Sequence, residues 1–490
     1  MPPAPPSAPS WTAERSARVL LFTALAVGAA LRAWLALTDA GIYWPDEIYQ
    51  SLEPAHRLVW GRGLVAWEFA SGARPWTLPA LVALPFSVLR LLGVSSPSTY
   101  VPAVKLLFAA VGVATAWAVA RLARALGAAP LPAAAAGALW ALAAPAIYFS
   151  TRGLSEPLSA FPVTVGLLLA WPEDVSRRKR LLGAALLGAA VLLRLQDAVL
   201  CVGLLVALVG RGQRRAALDV LAVFTLAALA LGALDWATWG RPFQSALENL
   251  RFNVVEGGGS LWGTSEPSYY LRVLWRSMPE VTAVLLLAGA LALRRAPGLC
   301  ALVVAFLVLH SLVPHKELRF ILPVLPAWAA LAGVGLDSAS RFLSARKPAL
   351  THLGVALAVL AAAVSAAGFH RLTFGDLGAY EMLKPQASAY QDFADVNRLL
   401  SLAGTLPDLC GLKVEAVHMA WAGGYTYFHK DARLYSHLGP PRASGKYNYV
   451  LSVERAVPVG SVRAALGPFV LAQLSSGPCA PDPAFSWRLP

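Results

Sequence analysis

Two short clusters carry the side chains best suited to chemistry. Pro45-Asp46-Glu47 sets two carboxylates side by side, and His315-Lys316-Glu317-Leu318-Arg319 gathers three basic side chains within five residues. A carboxylate can take the proton from an attacking hydroxyl, while His, Lys and Arg together can stabilise a departing phosphate. The pair of clusters therefore suits transfer of a group from a phosphate to a hydroxyl. Each also has a plainer use, since acids complement a helix N-terminus and basic side chains reach from a membrane into the headgroups.

Lesser candidates lie around these two. Gln50, Glu53 and His56 follow the acidic pair on residues 48–60, where Ile48, Leu52, Ala55 and Val59 recur at helical spacing and predict an interfacial helix. Arg152, Glu156, Arg194 and Asp197 stand beside apolar runs, where an ionisable group is costly unless it is paired or faces a cavity. Asn253 precedes Gly257-Gly258-Gly259 and Trp262; glycines permit close backbone approach, and aromatic rings suit either a sugar face or the membrane interface. No metal-ligand spacing stands out, and no cofactor is expected.

The elements that must position these residues follow from composition. Over 490 residues, 57% hydrophobic against 14% charged leaves too little polar surface for a water-soluble fold. The net charge of +14 fits basic residues at the inner ends of membrane helices rather than a nucleic-acid partner. Apolar runs at 19–37, 106–120, 131–149, 158–171, 181–193, 198–209, 216–234, 281–293, 299–312, 320–336 and 353–369 give about eleven spans. The runs around Arg194 and Pro297 are short enough to be broken or tilted, and the apolar stretch 76–92 reads as an interfacial or re-entrant segment. Basic clusters at Arg121/Arg124, 177–180, Arg211/Arg214/Arg215, Arg294/Arg295 and Arg341/Arg346/Lys347 recur after alternate runs, so they belong inside. Both chemical clusters then fall on the outer face.

The fold class expected is an α-helical polytopic membrane protein, residues 1–369, with outer loops at 39–102 and 235–280. A small extracytoplasmic α/β domain follows at 370–490, with a helix at 392–402 and strands at 412–417, 433–435, 447–453 and 469–474. Cys410 and Cys479 lie in this domain and either pair or stay free, whereas Cys201 and Cys300 sit in apolar runs.

Taken together, several motifs resemble the polyprenyl-phosphate-mannose-dependent mannosyltransferases of the dolichol and glycosylphosphatidylinositol pathways, multi-spanning enzymes of the GT-C type. The resemblance is carried by Pro45-Asp46-Glu47 with Gln50, by Glu53-Pro54-Ala55-His56, by Trp67-Glu68, by Phe252-Asn253 through Gly263-Thr264, and by His315-Lys316-Glu317-Leu318-Arg319-Phe320 with Pro323 and Pro326. It implies an inverting, metal-independent or weakly metal-dependent transfer of mannose, or another hexose, from a polyprenyl-phosphate donor to a lipid-linked or glycan acceptor. Asp46 would be the base with Glu47 in support, and His315, Lys316 and Arg319 would hold the donor phosphate. Gln50, Glu53, His56, Arg152, Arg194, Asn253 and Trp262 are the further substrate-binding candidates. The family usually has His before its Pro-Asp-Glu, and Trp44 stands here. The Ala-, Arg- and Leu-heavy composition resembles that of a high-GC bacterium, which places the expected site on the periplasmic side of an inner membrane.

Competing readings remain. A GT-C enzyme that glycosylates protein or transfers arabinose would use the same base and clamp. A lipid-linked sugar transporter should instead carry its charges near the bilayer midplane on interrupted helices, often in repeated halves, and neither feature is visible.

Overall fold

A computed structural model describes residues 11–379, 385–457 and 461–489. The first part is helical. Helices Trp11–Thr38, Pro97–Ala125, Pro130–Leu142, Ser155–Ala170, Pro279–Ala292 and Leu325–Arg346 pack around one alanine- and leucine-rich core. Small residues let the backbones approach: a Cβ added at Gly335 would lie 1.7 Å from the carbonyl oxygen of Ala288 on the neighbouring helix, so no larger residue fits that crossing.

The expected count of about eleven spans is not confirmed. Among the described residues four helices, Thr12–Thr38, Pro97–Ala125, Arg214–Trp239 and Pro348–Arg371, are both long and apolar enough to cross a membrane, and six more apolar helices are shorter. Prolines account for part of the difference. The run 131–149 is split into Pro130–Leu142 and Ala144–Phe149 because Pro145 has no N–H to donate and would clash within a continuing helix. Around Arg194 the helix Arg177–Leu193 ends in an extended residue before a single 3₁₀ turn and the helix Ala198–Gly210. The stretch expected to be re-entrant forms the helix Thr77–Leu91, too short to span.

Beyond the bundle, the helix Ala394–Thr405 precedes a five-stranded sheet with β1 at Gly411–Val414, β2 at Arg433–Tyr435, β3 at Tyr449–Val453, β4 at Val462–Leu466 and β5 at Phe469–Gln473. The order is β2-β1-β3-β5-β4, with β1 parallel to β2 and β3 and the other pairs antiparallel. Cys410 and Cys479 form a disulfide that ties the entry of β1 to the chain after β5.

This domain is not tethered loosely. Its Leu399, Leu412, Tyr425 and Leu451 share one apolar core with Ile48, Leu52, Ala55 and Phe86 of the loop between the first two long helices. That loop contains a π-helical turn, Ile48–Leu52, continuing into the helix Glu53–Trp60. A polar face of the same segment makes the grip specific. Tyr49, Glu53 and His56 stand at i, i+4 and i+7 and all bond residues 419–429 of the domain.

Candidate active site

The acidic pair divides on folding. Asp46 and Glu47 cannot point the same way where the helix begins, and the structure turns Glu47 inward to 2% exposure. There its carboxylate accepts from the Tyr43 N–H and lies 3.6 Å from Arg152 Nη1. Burial pushes the Glu47 carboxyl up, with Arg152 and Lys105 opposing. Arg152 donates to Asp39 Oδ2 at 2.5 Å and to the Gly41 carbonyl at 2.7 Å, so it braces the loop from beneath.

Asp46 faces Arg319. The guanidinium, delivered by the turn Leu318–Ile321, donates from Nη2 to Asp46 Oδ2 at 2.7 Å and from Nε to Glu317 Oε2 at 2.7 Å, and its Nη1 lies 3.7 Å from Glu156 Oε1. Arg194 donates to the same Glu156 oxygen at 2.5 Å. Two sequence motifs 273 residues apart thus meet through a single side chain. Among the described residues Asp46 Oδ1 has no protein partner, so one of its two oxygens is free to accept a hydrogen bond.

His315 sits between two acceptors, with Nε2 3.1 Å from Glu317 Oε1 and Nδ1 3.1 Å from the Gly263 carbonyl. Only the doubly protonated ring satisfies both. Burial opposes that charge, but Glu317 outweighs it and raises the pKa of His315. Burial likewise disfavours a charged Glu317, yet Arg319 and His315 hold its carboxyl at about 2. Lys316 donates only to backbone carbonyls, of Ser265 at 2.5 Å and Pro314 at 3.4 Å, so its charge has no carboxylate partner among the described residues.

His315, Lys316 and Glu317 line a cleft of about 1050 Å³ together with Trp44, Trp262, Arg272, Arg276 and residues of the sheet domain. Asp46 stands one hydrogen-bonded residue behind this wall rather than in it. On its other flank Gln50 donates to Glu68 at 2.8 Å. Burial, then the nearby Asp46, pushes the Glu68 carboxyl up, while Arg74 opposes. Arg74 makes no hydrogen bond or ion pair in the described structure; it is a free cation between Glu68 and Glu156 that sequence reasoning missed. A lone arginine before Pro75 carries no pattern to mark it, and only its proximity to the Trp67-Glu68 motif pointed there.

Three further candidates do not reach the cleft. Glu53 is fully buried and its oxygens accept from the N–H groups of Leu64, Tyr425 and Thr426, each at 2.8 Å, and from the Thr426 hydroxyl at 2.7 Å. His56 Nε2 lies 2.8 Å from His429 Nδ1, and its Nδ1 lies 2.7 Å from the Arg62 carbonyl. Both residues fasten the sheet domain. Asn253 is exposed and donates to the Asn249 carbonyl, but Gly259 brings its loop against both Asn253 and His315, since a Cβ there would approach Asn253 Oδ1 to 3.2 Å and His315 Cβ to 4.0 Å.

The His56–His429 contact should make docking of the domain pH-sensitive. Burial holds His56 down at about 3 and His429 at about 4, both below the value of about 6.5 for a free imidazole. The unfolded chain therefore binds protons first, and stability is complete above about pH 6.5 and falls as pH drops toward 3. Each imidazole contributes at most about 1.4 kcal/mol per pH unit. Melting temperature followed from pH 7.5 to 5 should fall in the wild type and fall less in His429→Gln, whose amide can donate to His56 without titrating. An equal slope in the two proteins would remove the pair from this role.

A helical bundle with a small domain seated over it is a fold already seen in solved structures. ArnT from Cupriavidus metallidurans, in a structure bound to undecaprenyl phosphate, aligns with 95% of this chain and 99% of its own at a TM-score of 0.61, with 15% identity. The model of the Alg9-like mannosyltransferase family matches residues 23–394, and the chain belongs to that family. Among curated relatives, GPI mannosyltransferase 3 of Yarrowia lipolytica is 32% identical over 62% of this chain and 60% of its own length, and a mannosyltransferase of Arabidopsis thaliana is 30% identical over 59% and 54%. The chain thus spans little more than half the length of these relatives.

Proposed function

We propose that this chain transfers mannose from a polyprenyl-phosphate donor to a hydroxyl of a lipid-linked glycan at the outer face of a membrane, with inversion at the anomeric carbon. The observation that carries this reading is the continuous chain Asp46–Arg319–Glu317–His315, which joins an open carboxylate oxygen to the cationic wall of a cleft large enough for a glycosyl phosphate. Asp46 Oδ1 takes the acceptor's proton as its oxygen bonds to the anomeric carbon. The bond from that carbon to the phosphate oxygen breaks on the opposite face, which inverts the centre, and the phosphate leaves toward Lys316 and protonated His315. Arg319 orients Asp46 through Oδ2, and Glu47 stiffens the loop from below. Arg74, without a partner among the described residues, is a further cation near Glu68 and Glu156, while Gln50 donates to Glu68 and Trp262 lines the cleft.

Support for the lipid donor comes from the fold shared with ArnT in its undecaprenyl phosphate complex. Support for the outer face comes from the disulfide of the sheet domain, which suits an oxidising compartment, and from the basic clusters at the opposite helix ends. The composition favours a bacterial inner membrane with the site toward the periplasm.

The test is transfer by the purified protein in nanodiscs, given radiolabelled polyprenyl-phosphate mannose and a lipid extract of the source cells. Labelled glycolipid is the expected product, with Lys316→Ala raising the KM for the donor at least about tenfold, the loss of one charge-assisted contact worth about 1.5–3 kcal/mol. Movement of the donor across the bilayer without any product would make the chain a transporter and end this reading.

A further inference from the structure

The family match stops at residue 394, yet the cleft does not: Trp421, Pro468 and Phe469 of the sheet domain form part of its wall. Trp421 packs against Trp44, with ring centroids 5.5 Å apart and planes at 46°, and against Phe393 at 5.9 Å and 40°. Trp44 lies within the matched region and Trp421 beyond it, so the two indoles join the matched part of the chain to the sheet domain at the cleft.

Trp421 is held with care. It ends the short turn Met419–Trp421, and the Tyr49 hydroxyl lies 2.8 Å from both the Met419 and the Ala422 carbonyls that bracket the ring. Tyr49 is three residues beyond Asp46, so the segment that presents the carboxylate also sets the height of the indole. The neighbouring aromatic is held against backbone preference. Phe393 has φ 53° and Gln391 φ 60°, left-handed conformations that are strained for a non-glycine residue. Such strain persists where surrounding structure overrides it, and here it turns Phe393 toward the cleft. An aromatic wall beside cations in one cavity is the arrangement that binds a ring with C–H faces attached to a phosphate.

We propose that Trp421, with Trp44 and Phe393, is the platform for the sugar ring of the donor, so that the sheet domain forms part of the donor site. This rests on the reading above, in which Lys316 receives the donor phosphate. The sugar lies against the indoles and its phosphate meets Lys316 across the cleft, which sets the anomeric carbon toward Asp46.

The experiment compares dissociation constants for polyprenyl phosphate and for polyprenyl-phosphate mannose, measured on the full-length protein in nanodiscs. Wild type should bind the mannosylated lipid about tenfold more tightly, the equivalent of about 1.4 kcal/mol. Trp421→Ala should bring that ratio to about one while leaving the constant for polyprenyl phosphate within about twofold, and Trp421→Phe should keep most of the ratio. Lys316→Ala should weaken both lipids alike. A Trp421→Ala protein that retains the full preference overturns the platform, as does one in which both lipids weaken equally, since that marks the indole as a domain-docking residue. Retained donor preference with a raised KM for the glycolipid acceptor assigns the wall to the acceptor and overturns it too. Wild type that binds both lipids without preference overturns the platform and spares the phosphate reading; wild type that binds neither overturns both.

Discussion

Asp46→Asn should reduce mannose transfer by about two to four orders of magnitude, the usual share of a positioned general base, with little change in melting temperature or in donor affinity. The amide matches the carboxylate in shape, and its oxygen can still accept from Arg319. What it lacks is the capacity to take the acceptor's proton at Oδ1. The fold tolerates the lost charge because Arg319 keeps Glu317 and lies near Glu156. Initial rates at saturating donor, set beside a thermal melt of the same preparation, decide the matter. Residual activity above about a tenth of wild type would move the base elsewhere. Glu47→Gln is the natural contrast: its carboxylate is packed against Tyr43 and Arg152, so the change should destabilise the loop more than it slows chemistry.

Arg319→Ala should cost both stability and rate. One guanidinium serves Glu317 and Asp46 directly and neighbours Glu156, and removing the partner of a buried carboxylate costs about 3–5 kcal/mol. Lysine restores the charge but not the planar fork, and a single ammonium cannot hold both Glu317 oxygens and Asp46 at once. The expected order of melting temperatures is wild type, Arg319→Lys, Arg319→Ala, with activity falling in the same order. The acid limb changes as well. In the wild type the Glu317 carboxyl is held at about 2, below its ordinary value of about 4.3, so it adds stability that is present above about pH 4.3 and lost as pH falls toward 2. Without Arg319 only His315 opposes burial, so that contribution shrinks, and the variant should show less loss between pH 5 and 3 than the wild type. A variant as stable as wild type with the same acid limb would contradict the three-carboxylate arrangement.

How much of this was legible beforehand differs from residue to residue. The two clusters declared themselves through residue type, and the alternation of basic runs put both on one face, where the structure joins them through Arg319. The family resemblance drawn from those motifs agrees with the match over residues 23–394. Glu53 and His56 misled, because their partners lie more than 370 residues away in sequence and no local pattern announces them. The spacing of Tyr49, Glu53 and His56 did hold a clue: a polar face at i, i+4 and i+7 opposite an apolar one asks for a polar protein partner, not lipid headgroups. Strands β1, β2, β3 and β5 were visible as apolar runs. Strand β4 was not, since Val462–Leu466 is half exposed and lacks the alternation that a one-sided strand shows. Each of the eleven apolar runs carries a helix, but apolar length alone did not show where proline would divide one, as Pro145 does.

The grip of Tyr49, Glu53 and His56 on residues 419–429 bears on the order in which the molecule comes into being. Translation delivers the loop with Asp46 long before the segment that fastens it exists. During that interval Glu53 has lost none of its charge and has gained few of the donors it will later use, so the loop has no reason to settle in its final pose. The Arg319 side chain also arrives before the sheet domain, yet the cleft lacks one wall until Trp421 is in place. A chain made only as far as Arg319 therefore holds its two clusters without the wall that closes the cleft: the cavity becomes whole only after the segment around Trp421 has been synthesised and gripped.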